Sequence, residues 1–283
     1  MGGSIDQGIP DPPEGELLYA QIEASFSGPI PPLVLWGPLP FKDALRLLKL
    51  IHLSSWFCGI FVPNSHFFGP ILSRGNGEEK KIAPTFDDGP SEPYSPLILD
   101  ALKQYGAKAT FFVVGKKAEA RKDLVQRIHE EGHLIGNHTY NHPPYKAFEG
   151  LFGRKQVMEE IERGGAVLEG ITGDLPNLFR PPQGFKNHLI LEACREKGIT
   201  LVGYTHGPPY CANGHSPSAL AERMVRSTQP GSIRNFHDGW RTGKEWACEE
   251  MVHVLSKIIE KLRAQGYRLV TLQEMIEEKG DRG

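Results

Sequence analysis

The chain predicts an α/β fold in which short strands alternate with amphipathic helices over most of its length. Three observations carry this. Apolar runs of strand length recur near Ile82–Phe86, Ala109–Val114, His133–His138, Leu178–Arg180, Thr200–Thr205, Ser232–His237 and Arg268–Leu272. The stretches between them have helical periodicity, which implies parallel βαβ units, as a (β/α) barrel or an open doubly wound sheet. No GxGxxG or Walker sequence follows any strand, which weighs against the nucleotide-binding open sheet.

The helices are read from their apolar faces. Leu97, Ile98, Ala101 and Leu102 form one face, and Leu124, Val125 and Ile128 a second. Val157, Ile161 and Leu168 form a third, while Met251, Val252, Leu255, Ile258, Ile259 and Leu262 form the strongest series. Gly106, Gly132, Gly198 and Gly266 each fall where a helix C-cap is expected. Pro84 lies inside the first strand, where it removes a ladder donor.

The alternation begins only after Gly75–Lys81, a polar, glycine-containing stretch that reads as a boundary. Two regions are expected: an extension over residues 1–78 and a catalytic domain over residues 79–279. The extension has proline-rich segments that should be irregular and an apolar stretch, Ala44–Val62, interrupted by Arg46, Lys49 and His52. Those charges break the run of about 20 apolar residues a membrane span needs. An amphipathic helix packed on the body, or peripheral at a membrane surface, fits better.

Bulk properties narrow the function classes. The 283 residues carry a net charge of -2 with acidic and basic residues interspersed, and no basic stripe suggests nucleic acid. The four cysteines, Cys58, Cys194, Cys211 and Cys248, show no CxxC and no zinc-finger spacing, and three pairings are open to them. Met1–Gly15 is polar and rich in glycine and proline, unlike a secretory signal. Oligomeric state is not encoded in any pattern of this kind.

Chemistry-bearing residues gather at the C-terminal ends of several strands, where barrels place their catalytic groups. Thr85-Phe86-Asp87-Asp88-Gly89-Pro90 sets two carboxylates side by side, which repel unless a cation accompanies them. One of them could instead cap a turn. His138-Thr139-Tyr140-Asn141-His142 spaces two imidazoles so that both can reach one metal. With one aspartate they make a His2Asp set with open positions, a catalytic rather than structural arrangement. Arg180, before Pro181-Pro182-Gln183-Gly184, can hold a carboxylate by a forked pair. His237, in Phe236-His237-Asp238-Gly239, has the acidity suited to a proton donor.

TFDDGP, HTYNH, RPPQG and FHD, in that order, resemble the first, second, third and fifth motifs of the NodB-homology polysaccharide deacetylases, carbohydrate esterase family four. The resemblance covers about Lys80 to Glu278 and implies a deformed (β/α) barrel of about seven strands. It implies a hydrolase that removes N-acetyl groups from N-acetylglucosamine-containing polysaccharide, peptidoglycan or chitin-like, in the cell envelope or secreted. Asp88, His138 and His142 would bind a divalent metal, Zn2+ foremost, with Co2+, Ni2+ or Mn2+ as other choices. Asp87 would be the general base, oriented by Arg180, and His237 the general acid. The backbone beside Pro182 and Gln183 would help hold the oxyanion.

Besides Gln183, which replaces the family's usual Tyr where only the backbone is needed, this chain departs from the family at two places. In Val202–Cys211, Tyr204 stands where the fourth motif has Trp, and no Asp follows to tune His237. Asn235 replaces the Leu that lines the acetate-methyl pocket. Two further readings therefore accompany the first: the same machinery on a formamide or O-acetyl ester, or a catalytically weak glycan-binding descendant.

Overall fold

The computed structural model describes residues 65–143, 153–206, 217–239 and 245–277. The proline-rich segments, the 44–62 stretch with its membrane reading, Cys58 and Cys211 lie outside them. Within them the expected alternation is found. The strands are β1 (Lys81–Asp87), β2 (Thr110–Val113), β3 (Leu134–Asn137), β4 (Leu178–Phe179), β5 (Thr200–Leu201), β6 (Ser232–His237) and β7 (Arg268–Leu269). The helices are α1 (Tyr94–Gln104), α2 (Gly115–Ala120), α3 (Lys122–Glu130), α4 (Arg154–Thr172), α5 (His188–Glu196), α6 (Pro217–Ser227), α7 (Glu245–Ala264) and α8 (Leu272–Glu277).

All the strand pairs are parallel, in the order β5-β4-β3-β2-β1-β6, with β7 joined to the start of β1. The sheet curls until its ends approach. Beyond β5 the Thr205 amide donates to the Ile233 carbonyl at 2.9 Å, and the Asn235 amide to the His206 carbonyl at 3.2 Å. This is a deformed barrel, as the sequence predicts. The strand expected at Thr200–Thr205 is shorter because the chain changes partners after Leu201, from β4 to Leu72 and then to β6.

The same closure draws in residues ahead of β1. Leu72 exchanges hydrogen bonds with Leu201 and Gly203, both at 2.9 Å, and the Gly75 amide donates to the Gly231 carbonyl at 2.8 Å. The barrel therefore takes in residues from Ile71 onward, upstream of 79. The linker-like Gly75–Lys81 is a tight entry into β1, where a Cβ on Gly75 would meet the Met275 side chain at 2.2 Å.

Register sorts the residues of β1 and β6 onto two faces. Ile82, Phe86 and Phe236 face the helices, with Phe86 stacked between Phe111 at 5.0 Å and Phe236 at 5.4 Å. That layer holds Ile98, Leu99 and Leu102 of α1 and Val254, Leu255, Ile258 and Ile259 of α7, all buried. Leu97, expected on the buried face of α1, is exposed and Leu99 takes its place, because residue 97 falls outside the arc set by 98, 99 and 102. Ala83 and Ile233 point into the barrel with Phe112, Val202 and Val270. Burying one Phe or Leu side chain contributes about 1.5–3 kcal/mol, so this double-sided packing makes β1 the structural centre.

Pro84 is tolerated for a topological reason. On one edge β1 pairs with β6 throughout, but on the other it pairs with β7 at Lys81–Ile82 and with β2 only from Thr85. Pro84 sits at that handover. Gly106, Gly132, Gly198 and Gly266 all adopt positive φ just beyond helices, as their C-cap reading requires. Cys194 is a buried core residue of α5 whose thiol burial pushes up to about 12.

Candidate active site

The site is built where β1, β3, β4 and β6 end. Asp87 closes β1 directly opposite His237 of β6, and Thr85 lies opposite Asn235. Strand alternation puts these four side chains on the inner face of the barrel. Asp88, the next residue, leaves the strand with φ 71, a left-handed turn that carries its carboxylate away from Asp87. The adjacent carboxylates are thus given different surroundings.

Asp87 is buried and paired with the buried guanidinium of Arg180, whose Nη1 donates to Asp87 Oδ1 at 2.7 Å. The same Nη1 reaches Thr85 Oγ1 at 2.7 Å, and Nη2 donates to the Gly203 carbonyl at 2.8 Å. The guanidinium lies 4.2 Å from the centre of the Phe112 ring. Arg180 is therefore fixed by two residues of β1, the Gly203 carbonyl just beyond β5 and a ring face, and it fixes Asp87 in turn.

Asp88 faces two imidazoles. His138 Nε2 lies 3.1 Å and His142 Nε2 2.9 Å from Asp88 Oδ1. The three donor atoms lie within 4.8 Å of one another. Ligand atoms about 2.1 Å from one ion are about 3.0–3.4 Å apart at angles between octahedral and tetrahedral, so the set fits a small divalent cation. His138 Nδ1 sits 2.6 Å from the Arg180 carbonyl, which can only accept. Nδ1 must then carry the proton, so the neutral ring would offer its Nε2 electron pair to a metal, while the charged ring donates to Asp88 through Nε2. Burial acts to raise the Asp88 pKa, but the hydrogen bonds from His138 and His142 outweigh it and hold the carboxyl well below its ordinary value. Burial opposes charging of His138 too, yet the bond to Asp88 raises its pKa overall.

His237 completes the ring of groups. Burial lowers its pKa, opposed by the charges of Asp88 and Asp87. The negative charges of Asp88 and Asp87 thus act on His237 although no Asp follows Tyr204 in the fourth motif. Tyr204, in that motif's place, lies 5.7 Å from the Arg180 guanidinium. Pro182 is buried in a 3-10 turn, Pro182–Gly184, while Gln183 is exposed with φ 60. Asn235 is buried, and among the described residues its Oδ1 finds no hydrogen-bond partner.

Several supporting residues were not legible as such. Asp238, read only as part of the fifth motif, turns away from His237; Ser95 Oγ donates to its Oδ2 at 2.6 Å and Ser91 Oγ to its carbonyl. Burial pushes its carboxyl up to about 7. A Cβ on Gly89 would stand 2.1 Å from that carboxylate, and one on Gly239 2.1 Å from the Asp88 carbonyl. The two glycines let the first-motif and fifth-motif loops interlock. Lys117 Nζ donates to the Asp88 carbonyl at 2.6 Å, and Glu160 of α4 grips the second-motif loop. The only local signal for these was the glycine in each motif.

Residues 74–202 match the family model described as polysaccharide deacetylase. A Bacillus cereus peptidoglycan-N-acetylglucosamine deacetylase is 35% identical over 206 residues, covering 71% of this chain and 90% of the relative. The chain belongs to the polysaccharide deacetylase family. It is accordingly a hydrolase of that family. The Bacillus subtilis peptidoglycan-N-acetylmuramic acid deacetylase PdaA is 30% identical over 208 residues, covering 72% of this deacetylase and 74% of the relative. Among solved structures, the Bc1960 peptidoglycan N-acetylglucosamine deacetylase, in complex with 4-naphthalen-1-yl-N-oxidanyl-benzamide, superposes with a TM-score of 0.67 at 32% identity. That match covers 73% of this deacetylase and 92% of the other chain.

Proposed function

We propose that the protein removes N-acetyl groups from an N-acetylglucosamine-containing cell-wall glycan, with peptidoglycan the first choice of substrate. The observation that carries this reading is the pairing of a His2Asp set with a separate, Arg-anchored aspartate one residue away. Asp88, His138 and His142 would hold a divalent ion, Zn2+ by donor type, though imidazole and carboxylate also suit Co2+, Ni2+ and Mn2+. Such an ion supplies Lewis-acid polarisation of the acyl oxygen and a more acidic water.

The chain's own groups do the proton work. Asp87, paired with the Arg180 guanidinium at 2.7 Å, takes the proton from the attacking water as its oxygen bonds to the acyl carbon. His237, from the facing strand, then protonates the sugar nitrogen as the C–N bond breaks, leaving a carboxylate and a free amine. The backbone of Pro182–Gly184 borders this space and would donate to the developing oxyanion. Arg180 positions Asp87 and does not touch the reacting atoms.

Names of the similar proteins support a cell-envelope setting, and no helix among the described residues is long and apolar enough to cross a membrane. The test is metal analysis coupled to acetate release from peptidoglycan, chitin oligomers and acetylated xylan. Expected are one divalent ion per chain and loss of acetate release in Asp87→Asn and His237→Ala. Undiminished turnover in Asp87→Asn overturns the mechanism.

A second reading rests on Asn235. A buried carboxamide on the inner face, two residues below His237 and with no partner for its oxygen among the described residues, favours an acyl group other than acetyl, such as formyl, or an O-acetyl ester. Relative rates on formyl amides, acetyl amides and acetyl esters separate the two.

A further inference from the structure

The two histidines of the second motif are held in different ways. His138 follows β3 directly and is pinned through Nδ1 to the Arg180 carbonyl at 2.6 Å, with its amide bonded to the Val113 carbonyl at 3.0 Å. His142 lies beyond the strand, in a loop that must turn back sharply to aim it at Asp88. Two non-glycine residues of this loop have positive φ, Thr139 at 68° and His142 at 50°. Each such residue costs about 1–3 kcal/mol unless its surroundings impose the conformation.

The constraint comes from α4. Glu160 Oε2 accepts the Asn141 amide at 2.8 Å and the Tyr140 amide at 3.1 Å. Its Oε1 accepts the Asn141 carboxamide at 2.6 Å, so both oxygens are committed to the loop. The Glu160 carbonyl also receives the Tyr140 amide at 3.1 Å. Two residues further back in the chain, Asn137 Oδ1 takes the Thr139 amide at 2.9 Å while its Nδ2 donates to the Ile161 carbonyl at 2.7 Å. Close approach is possible because α4 carries glycine at 164, where a Cβ would stand 2.6 Å from Asn137 Oδ1 and 2.9 Å from the Thr139 backbone.

We infer that Glu160 is a positioning residue for the metal centre, holding the Tyr140–Asn141 backbone so that His142 reaches Asp88. The inference rests on the metal reading given above. Glu160 touches neither a ligand nor the reacting atoms; it works through the backbone between the two histidines. Groups that orient metal ligands typically carry 10–100-fold in metal affinity, and the same range applies here. His138, fixed by the sheet, keeps its place when Glu160 is lost.

The test is Zn2+ affinity, measured by competition with a chromophoric chelator on metal-stripped full-length protein, beside the Tm of the metal-free form. His142→Ala serves as the reference for a lost ligand. Glu160→Ala should weaken Zn2+ by about 10–100-fold with the metal-free Tm held within a few degrees. Glu160→Gln, which keeps one acceptor oxygen and the same shape, should fall between it and the unchanged protein. Glu119→Gln, which removes an equal charge that among the described residues takes its hydrogen bond from the Tyr140 hydroxyl, should stay within about twofold.

If the unchanged protein takes up no ion, or His142→Ala binds as well as it does, the metal reading itself fails. If His142→Ala loses affinity while Glu160→Gln and Glu160→Ala keep it, that reading stands and the role of Glu160 is overturned. A Glu119→Gln loss equal to that of Glu160→Gln also overturns it, since charge alone would then account for the effect. Should Glu160→Ala fail to fold, Glu160→Gln decides alone: unchanged affinity overturns the inference and weakened affinity at unchanged Tm supports it.

Discussion

The two faces of the β1–β6 pair are built from alternate residues of the same strands and have opposite chemistry. Outward, Phe86 and Phe236 stack with Phe111 in a dry aromatic layer under α1 and α7. Inward, Thr85, Asp87, Asn235 and His237 line a polar wall against Arg180. The outer face gains free energy from every contact it makes. The inner face confines charged groups that water would solvate better, and burial of such groups is tolerated only where partners are provided. One strand pair thus carries the apolar core on one side and the candidate site on the other, separated by the thickness of a backbone.

That division is open to direct attack. On the inner face, Asp87→Asn should lower acetate release by about 10²–10⁴-fold, the usual worth of a positioned base, in a steady-state assay. Prolonged dialysis against a chelator should abolish activity, with recovery on adding back one equivalent of a divalent ion. On the outer face, Phe86→Ala should cost about 3–5 kcal/mol in denaturant melts while leaving the rate per folded molecule within about tenfold. A larger fall in that rate would show that the faces are coupled.

Asp238 supplies a sharper test, because it is a buried carboxyl that takes no part in proton transfer. Its folded pKa, about 7, lies above the roughly 3.9 of an unfolded chain. The folded state therefore binds this proton more tightly. Stability from this group is full below about pH 4 and is lost as pH rises through 7. The metal-free protein should lose about 2–3 kcal/mol between pH 5 and pH 8 from this source, and Asp238→Asn should remove most of that slope. The smallest expected effect is at Asn235: Asn235→Leu should shift the acetyl-to-formyl rate ratio toward acetyl by about tenfold, comparable to one methyl-sized change in a pocket. No shift would place Asn235 outside the acyl site.

Much of this was legible beforehand because the signals are local. Apolar alternation marked all seven strands, and the glycines after the helices marked their ends. TFDDGP, HTYNH, RPPQG and FHD singled out the residues that the barrel then brings together. Leu97 failed because a one-residue error in helical phase moves a side chain by 100°. The role of Gly75–Lys81 was not legible because a glycine-rich polar stretch reads alike as a linker and as a tight strand entry.

By itself, then, the sequence determined the α/β alternation, the family and the motifs that carry the candidate site, all properties of residues near one another along the chain. Only the tertiary structure decided that Asp87 would face His237 and that the Arg180 carbonyl would set the tautomer of His138. It alone brought the Asp238 carboxylate against Gly89, and Glu160 to the loop carrying His142. Those pairings join residues 19 to 150 positions apart in the chain. Register and barrel closure create them, and both follow from packing the whole body at once, which no local period in the sequence encodes.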